Sequence, residues 1–115
     1  MRKFQATTLG VLQGDVVLFS DFEDDGDMWR GTGPRQMRKS IAFDEPFLEV
    51  PIVQTGLTMW DIADEANSRA DITSEKITET GFDLVFRTWG DTRVARVRAG
   101  WMALGPVRTD DMWDV

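Results

Sequence analysis

The stretch from Thr80 to Ala103 constrains the fold more than any other part of the chain. Phe82, Leu84 and Phe86 alternate with Asp83, Val85 and Arg87. This period of two puts an apolar row on one side of a strand and a mixed row on the other. After Gly90 and Asp91 the alternation resumes: Ala95, Val97, Ala99, Trp101 and Ala103 share one face, Val94, Arg96 and Arg98 the other. Two half-buried strands joined by a short Gly/Asp connection predict a β-hairpin. The connection carries an indole, Trp89. Counted along the first strand, Trp89 falls on the face away from Phe82, Leu84 and Phe86, which places it at the surface or at a contact with another chain.

The same reading extends upstream. Residues 10–19 form a first strand rich in Val and Leu. Residues 20–34 read as a long loop, acidic and then glycine-rich. A second strand over 35–43 keeps Met37, Ile41 and Phe43 on one face, and Asp44-Glu45-Pro46 turns the chain. A third strand is expected over 47–60, with Val53, Leu57 and Met59 sharing a face, then a polar link at 61–66 with room for a turn of helix. A fourth strand covers 68–74. Short strands at near-regular spacing, separated by turn signals and without a βαβ rhythm, predict an all-β fold, a six-stranded antiparallel β-sandwich. Residues 106–115 read as an acidic C-terminal tail that Met112 and Trp113 either anchor or leave frayed.

Composition narrows the chemistry. With 115 residues the chain is one domain, able to bury about two-thirds of its unfolded surface. It has neither Cys nor His, so the commonest general base, the commonest nucleophile and any disulfide or thiolate metal site are missing. Carboxylates are plentiful, but no pair is framed to act as acid and base across a bond. A net charge of −7 opposes nucleic acid as a partner, because phosphate binding needs a concentrated basic surface. No stretch approaches the roughly 20 apolar residues of a membrane span, and the first residues lack a signal-peptide pattern. The expectation is a cytoplasmic protein, or one exported by a leaderless route.

One acidic stretch invites a metal hypothesis. Asp21 to Asp27 places oxygen donors at alternate positions before Gly26, as a calcium loop does. Thr32 stands where the closing bidentate carboxylate belongs, so a solvated acidic loop is the better reading and no metal or cofactor is expected.

Several features acquire a joint meaning in their order. The Thr80-Gly81-Phe82 start, the Thr88-Trp89 pair, Asp91-Thr92-Arg93-Val94, and a closing aromatic strand that ends near a glycine together resemble the H-type lectin domain, the family of snail agglutinins and the C-terminal part of discoidins. Leu12-Gln13-Gly14 looks like the family's opening strand, and Ile41-Ala42-Phe43 with Phe47 and Pro51 like its middle strands. Arg69 precedes Gly81 by the interval the family pattern wants. The likeness covers roughly residues 9–105.

What the resemblance implies is carbohydrate binding without catalysis. The positions of Trp89 and Arg69 line the family's sugar site, Gly90 adjoins it, and a loop aligned with Arg30, Gly31 and Thr32 supplies the rest. An exposed indole stacks on the C–H face of a sugar, while polar groups take its hydroxyls. Three positions depart from the family: Thr32 replaces an Asp, Gly90 a His and Ala95 a Tyr. A preference for N-acetylgalactosamine therefore does not carry over. Arg69 also has a plain structural role open to it, as partner to Asp71 or Asp64. The resemblance further implies a homotrimer, or trimers stacked into a hexamer. Arg87, Arg96 and Arg98 leave the apolar face of adjoining strands, where like charges repel unless acids or a neighbouring subunit answer them, so they are expected at or near the contact. The alternative is an assembly or adhesion module, such as part of a phage-derived particle, that keeps the sandwich without sugar binding.

Overall fold

The computed structural model describes residues 1–24 and 26–109, with the side chains of Glu23 and Asp24 outside that description. Six strands, β1 (Leu9–Ser20), β2 (Arg35–Ala42), β3 (Ile52–Ile62), β4 (Asp71–Glu75), β5 (Gly81–Thr88) and β6 (Val94–Pro106), form two three-stranded antiparallel sheets. One has the order β1-β6-β3, the other β2-β5-β4. The predicted β-sandwich is the observed fold.

The two most legible strands nevertheless do not pair. β5 is the centre of one sheet and β6 the centre of the other, so Trp89 to Arg93 forms an arch between sheets and not a hairpin turn. Alternation reports which side of a strand is buried, but it is silent on which strand lies alongside. Both strands are central, so the face expected to be mixed is also covered in part: Val85 and Val94 are fully buried. Arg87 consequently lies on the opposite side of the sandwich from Arg96 and Arg98, which corrects the expectation of three arginines on adjoining strands.

Between the sheets, Leu84, Phe86, Val97, Ala99 and Ala103 are inaccessible to solvent. Phe82, Phe43 and Trp101 meet as a cluster with ring centroids 5.4–5.9 Å apart. Burying each large apolar side chain contributes about 1.5–3 kcal/mol. Gly14 faces this layer because a Cβ there would lie 2.4 Å from Nε1 of Trp101. The indole occupies the space that any larger residue on β1 would need.

Other boundaries move for local reasons. The segment before β3 contains Phe47, packed edge-to-face on Phe43 at 5.2 Å. Pro51 follows, and having no N–H it cannot donate to a ladder, so the third strand starts at Ile52 and not at 47. It runs on to Ile62 and ends in a turn within the polar link expected at 61–66, without a turn of helix. The fourth strand starts at Asp71. The loop expected over 20–34 contains two single helical turns, α1 (Asp21–Asp24) and α2 (Asp27–Arg30). The Asp21 carboxylate accepts the Met28 amide at 3.0 Å, satisfying a donor exposed at the start of α2. Among the described residues no cluster of three or more metal-ligating side chains is present. The final ladder reaches Pro106, and the Val107 amide bonds Thr8 at 3.1 Å. Residues 110–115, with Met112 and Trp113, lie outside the described residues.

Candidate functional site

The arch between β5 and β6 organises one end of the sandwich. Thr88 and Thr92 flank it and are almost wholly buried. The Thr88 hydroxyl donates to the Arg69 carbonyl at 2.6 Å. The Thr92 hydroxyl donates to the Asn67 carbonyl and accepts the Arg69 amide at 3.1 Å. Segment 67–70 is thus held against the arch by two hydroxyls rather than by a ladder, which is why β4 begins only at Asp71. Every buried side-chain donor or acceptor among the described residues has a partner, as buried polar groups require.

This binding of loop to arch fixes Arg69. Its guanidinium donates to Asp91 at 2.7 Å, so its acid partner is Asp91 and not Asp71 or Asp64. It also lies against Gly90, where an added Cβ would be 3.1 Å from Arg69 Nη1. Gly90 has φ +70°, a left-handed backbone that glycine adopts without steric cost. Trp89, next to it, is 44% exposed, as its parity along β5 predicts.

The 31–34 segment completes the corner. Gly33 donates its amide to the Gly90 carbonyl at 2.9 Å. Arg35 then acts as a strut: its side chain donates to the carbonyls of Gly33, Asp27, Met28, Gly90 and Thr92 at 2.8–3.4 Å. A guanidinium has five N–H donors, and all five are spent on main chain. Gly31 sits under this strut, because a Cβ there would meet the Asp27 carbonyl at 2.5 Å. Arg30, the last residue of α2, and Thr32 just after it are exposed. Of the six residues singled out from sequence, Arg69 and Gly90 meet directly, and Trp89 adjoins Gly90 along the chain. The loop carrying Arg30, Gly31 and Thr32 is tied to them through Gly33 and Arg35.

Sequence reasoning missed Arg35, Thr88 and Thr92, the residues that hold the corner. Their available signal was the threonine on either side of Trp89-Gly90-Asp91, a pattern whose use depends on a loop twenty residues upstream. A second aromatic feature was also missed: Trp29 meets Phe22 edge-to-face at 5.1 Å and lies under the Arg93 guanidinium at 4.2 Å.

On the outer face of the β2-β5-β4 sheet, charges form a closed network. Arg38 bonds Asp83 and Glu75, each at 2.9 Å, and Arg87 bonds Glu75 at 2.7 Å. Hydrogen bonds from Arg87 and then Arg38 hold the Glu75 carboxyl at about 2, and Arg38 with Ser40 lowers Asp83. Arg96 and Arg98, on the other sheet, face Asp61 at 3.3 Å and Asp15 at 3.7 Å.

Comparison with known proteins agrees with this architecture. The H-type lectin domain model matches residues 38–104. A Fuscovulum blasticum protein named "ATP synthase subunits region ORF 7" is 55% identical, covering 94% of each chain. Discoidin-2 of Dictyostelium discoideum is 43% identical over 65 residues, 56% of this chain and 25% of that protein. The solved structure of discoidin II from the same organism superposes with a TM-score of 0.76 at 30% identity, over 91% of this chain and 40% of the discoidin chain. The chain therefore spans well under half of the discoidins it resembles. With its six strands in two antiparallel sheets and a family match over more than half its length, this chain belongs to the H-type lectin domain family.

Proposed function

We propose that the chain is a non-catalytic carbohydrate-binding module whose site is the corner formed by Trp89, Gly90, Arg69 and the loop bearing Arg30, Gly31 and Thr32. The observation that carries this reading is the exposed Trp89 indole next in the chain to Gly90, against which lies the Arg69 guanidinium bound to Asp91. The ring supplies an apolar platform for the C–H face of a pyranose, and the loop groups and Arg69 supply hydrogen bonds to its hydroxyls. Because Thr32, Gly90 and Ala95 replace Asp, His and Tyr, the preferred sugar is not inherited from the resembled lectins. The test is a glycan array on the wild type beside Trp89→Ala. Lost or strongly reduced binding by the variant is expected; equal binding removes Trp89 from the mechanism.

Self-association through the outer face of the β1-β6-β3 sheet belongs to the same proposal, with a trimer as the assembly. Val11, Leu104 and Ile52 form one row across its three strands, and Leu9 and Val17 are half exposed beside it. Gly56 gives separate support. It sits mid-strand opposite Gly100, has an ordinary backbone, and a Cβ there would meet nothing within 4 Å. Its smallness serves no intrachain contact, whereas strand glycines often mark the close approach of another chain. Several weak sites on one rigid assembly multiply avidity without new contacts.

A second reading, an assembly or adhesion module without sugar binding, draws on the same Gly56 face and on the three substituted site positions. A blank glycan screen at millimolar sugar, together with an intact oligomer and a co-purifying protein partner, favours it over the lectin reading.

A further inference from the structure

Trp89 faces more than the corner. The outer side of the β2-β5-β4 sheet continues from it as an open groove of about 580 Å³, lined by Pro34, Gln36, Asp71 and Arg87 as well as the indole. Register explains the layout. Gln36 lies opposite Arg87, and Arg87 opposite Asp71, so their side chains leave the same face as one row across three strands. At strand spacings of about 4.8 Å that row is roughly 10 Å wide. Trp89 follows two residues on, just past the end of β5, roughly 7 Å away.

The row's hydrogen-bonding groups are unequally committed. Arg87 is spent on Glu75 at 2.7 Å and on the Thr73 hydroxyl at 3.3 Å. Arg35, at the groove's edge, has given every N–H to main-chain carbonyls. The side chains of Asp71 and Gln36 are on exposed residues and make no hydrogen bond or ion pair within the described residues. The groove therefore offers an apolar platform at one end and, about 7 Å on, a free carboxylate acceptor and a free amide held apart by a rigid sheet. These are strand positions, with less freedom than loop side chains.

We infer that this groove is a second saccharide subsite: Asp71 and Gln36 bind hydroxyls of the sugar residue next to the one stacked on Trp89, so the site takes a neutral oligosaccharide in preference to a free monosaccharide. The inference rests on the sugar-binding reading of Trp89 and extends it along the sheet. Asp71 is the acceptor for hydroxyl protons and Gln36 both donates and accepts.

The test compares neutral glycans of one to four residues, arrayed and then titrated in solution, on the wild type, Asp71→Asn, Gln36→Ala and Trp89→Ala. Expected is a loss of roughly tenfold or more in oligosaccharide affinity for Asp71→Asn. A smaller loss is expected for Gln36→Ala, with unchanged affinity of both for the matching monosaccharide. Trp89→Ala weakens both classes. If oligosaccharides bind in a Trp89-dependent way and the two groove variants match the wild type, the subsite is overturned while the Trp89 site stands. If no glycan of any length binds the wild type, the sugar-binding reading itself falls and the subsite with it. Neither groove residue supports the fold, so unchanged thermal unfolding in both variants is expected alongside.

Discussion

The two outer faces of this sandwich solve opposite problems. On the β2-β5-β4 side a group of charged side chains is closed upon itself, Arg38 with Asp83 and Glu75, Arg87 with Glu75, Ser40 with Asp83 at 2.9 Å, while the Asp71 carboxylate beside it has no partner within the described residues. On the β1-β6-β3 side an apolar row of Val11, Leu104 and Ile52 is left uncovered. Below it, the Asp15–Thr58–Arg98 contacts border the dent made by Gly56 and Gly100. A sheet face with satisfied charges tolerates water and stays free for a soluble ligand. A face with exposed Val, Leu and Ile gains by being covered, at roughly 25 cal/mol per Å² of apolar surface. On the proposed reading, ligand and assembly use opposite sides, so neither blocks the other.

The largest effect on this division is expected from Gly56→Leu. A branched side chain in the dent should drop the mass measured by light scattering from oligomer to monomer while the β-sheet circular dichroism persists. Gln36→Ala on the other face should leave the mass unchanged. An unaltered mass for Gly56→Leu would mean that assembly, if any, uses another surface.

A middle-sized effect is expected at the end where the two sheets meet. Thr92→Val keeps the shape and removes the hydroxyl shared by Asn67 and Arg69. It removes the partner of the part-buried Asn67 carbonyl and Arg69 amide, at a cost toward the low end of about 1–3 kcal/mol. The melting temperature should fall by several degrees, and sugar affinity with it, because segment 67–70 loses one of the two hydroxyls that hold it. Stability unchanged within error would show that the arch does not hold the loop.

The smallest effect at neutral pH, and the sharpest test of the closed charge network, is Glu75→Gln. The folded Glu75 pKa of about 2 lies below its ordinary 4.5. Its contribution is therefore complete above about pH 4.5 and is lost as the pH falls from there toward 2. Asp83, also lowered, acts in the same direction. The melting temperature of the wild type should decline across that window more steeply than that of Glu75→Gln. Parallel slopes would show that the pairs are too solvated to matter.

The sandwich was legible in the sequence because its signal is local. The period-two pattern of Phe82, Leu84 and Phe86, and of Val97, Ala99, Trp101 and Ala103, marks the inner layer directly. Pairing was not legible. Nothing within Thr80 to Ala103 says that β5 and β6 belong to different sheets, since that depends on β1, β3, β2 and β4 competing for their edges. The site was half legible on the same principle. Trp89 revealed itself by parity and Arg69 and the 30–32 loop by resemblance, but Thr88 and Thr92, and Arg35 where it reaches the arch, work across chain separations of 19 to 57 residues. The arginines of the outer faces look alike in sequence; only the topology puts Arg87 on one side and Arg96 and Arg98 on the other.

Trp89 decides the central claim most directly, because it can be watched alone. With the chain's five tryptophans labelled with ¹⁵N, the Trp89 indole N–H signal is identified by its absence in Trp89→Phe. The array's strongest binding glycan is then titrated in. Expected is a saturable shift of the Trp89 signal while that of Trp101, packed between the sheets, stays in place. A titration that leaves the Trp89 signal unmoved while the glycan binds would contradict it.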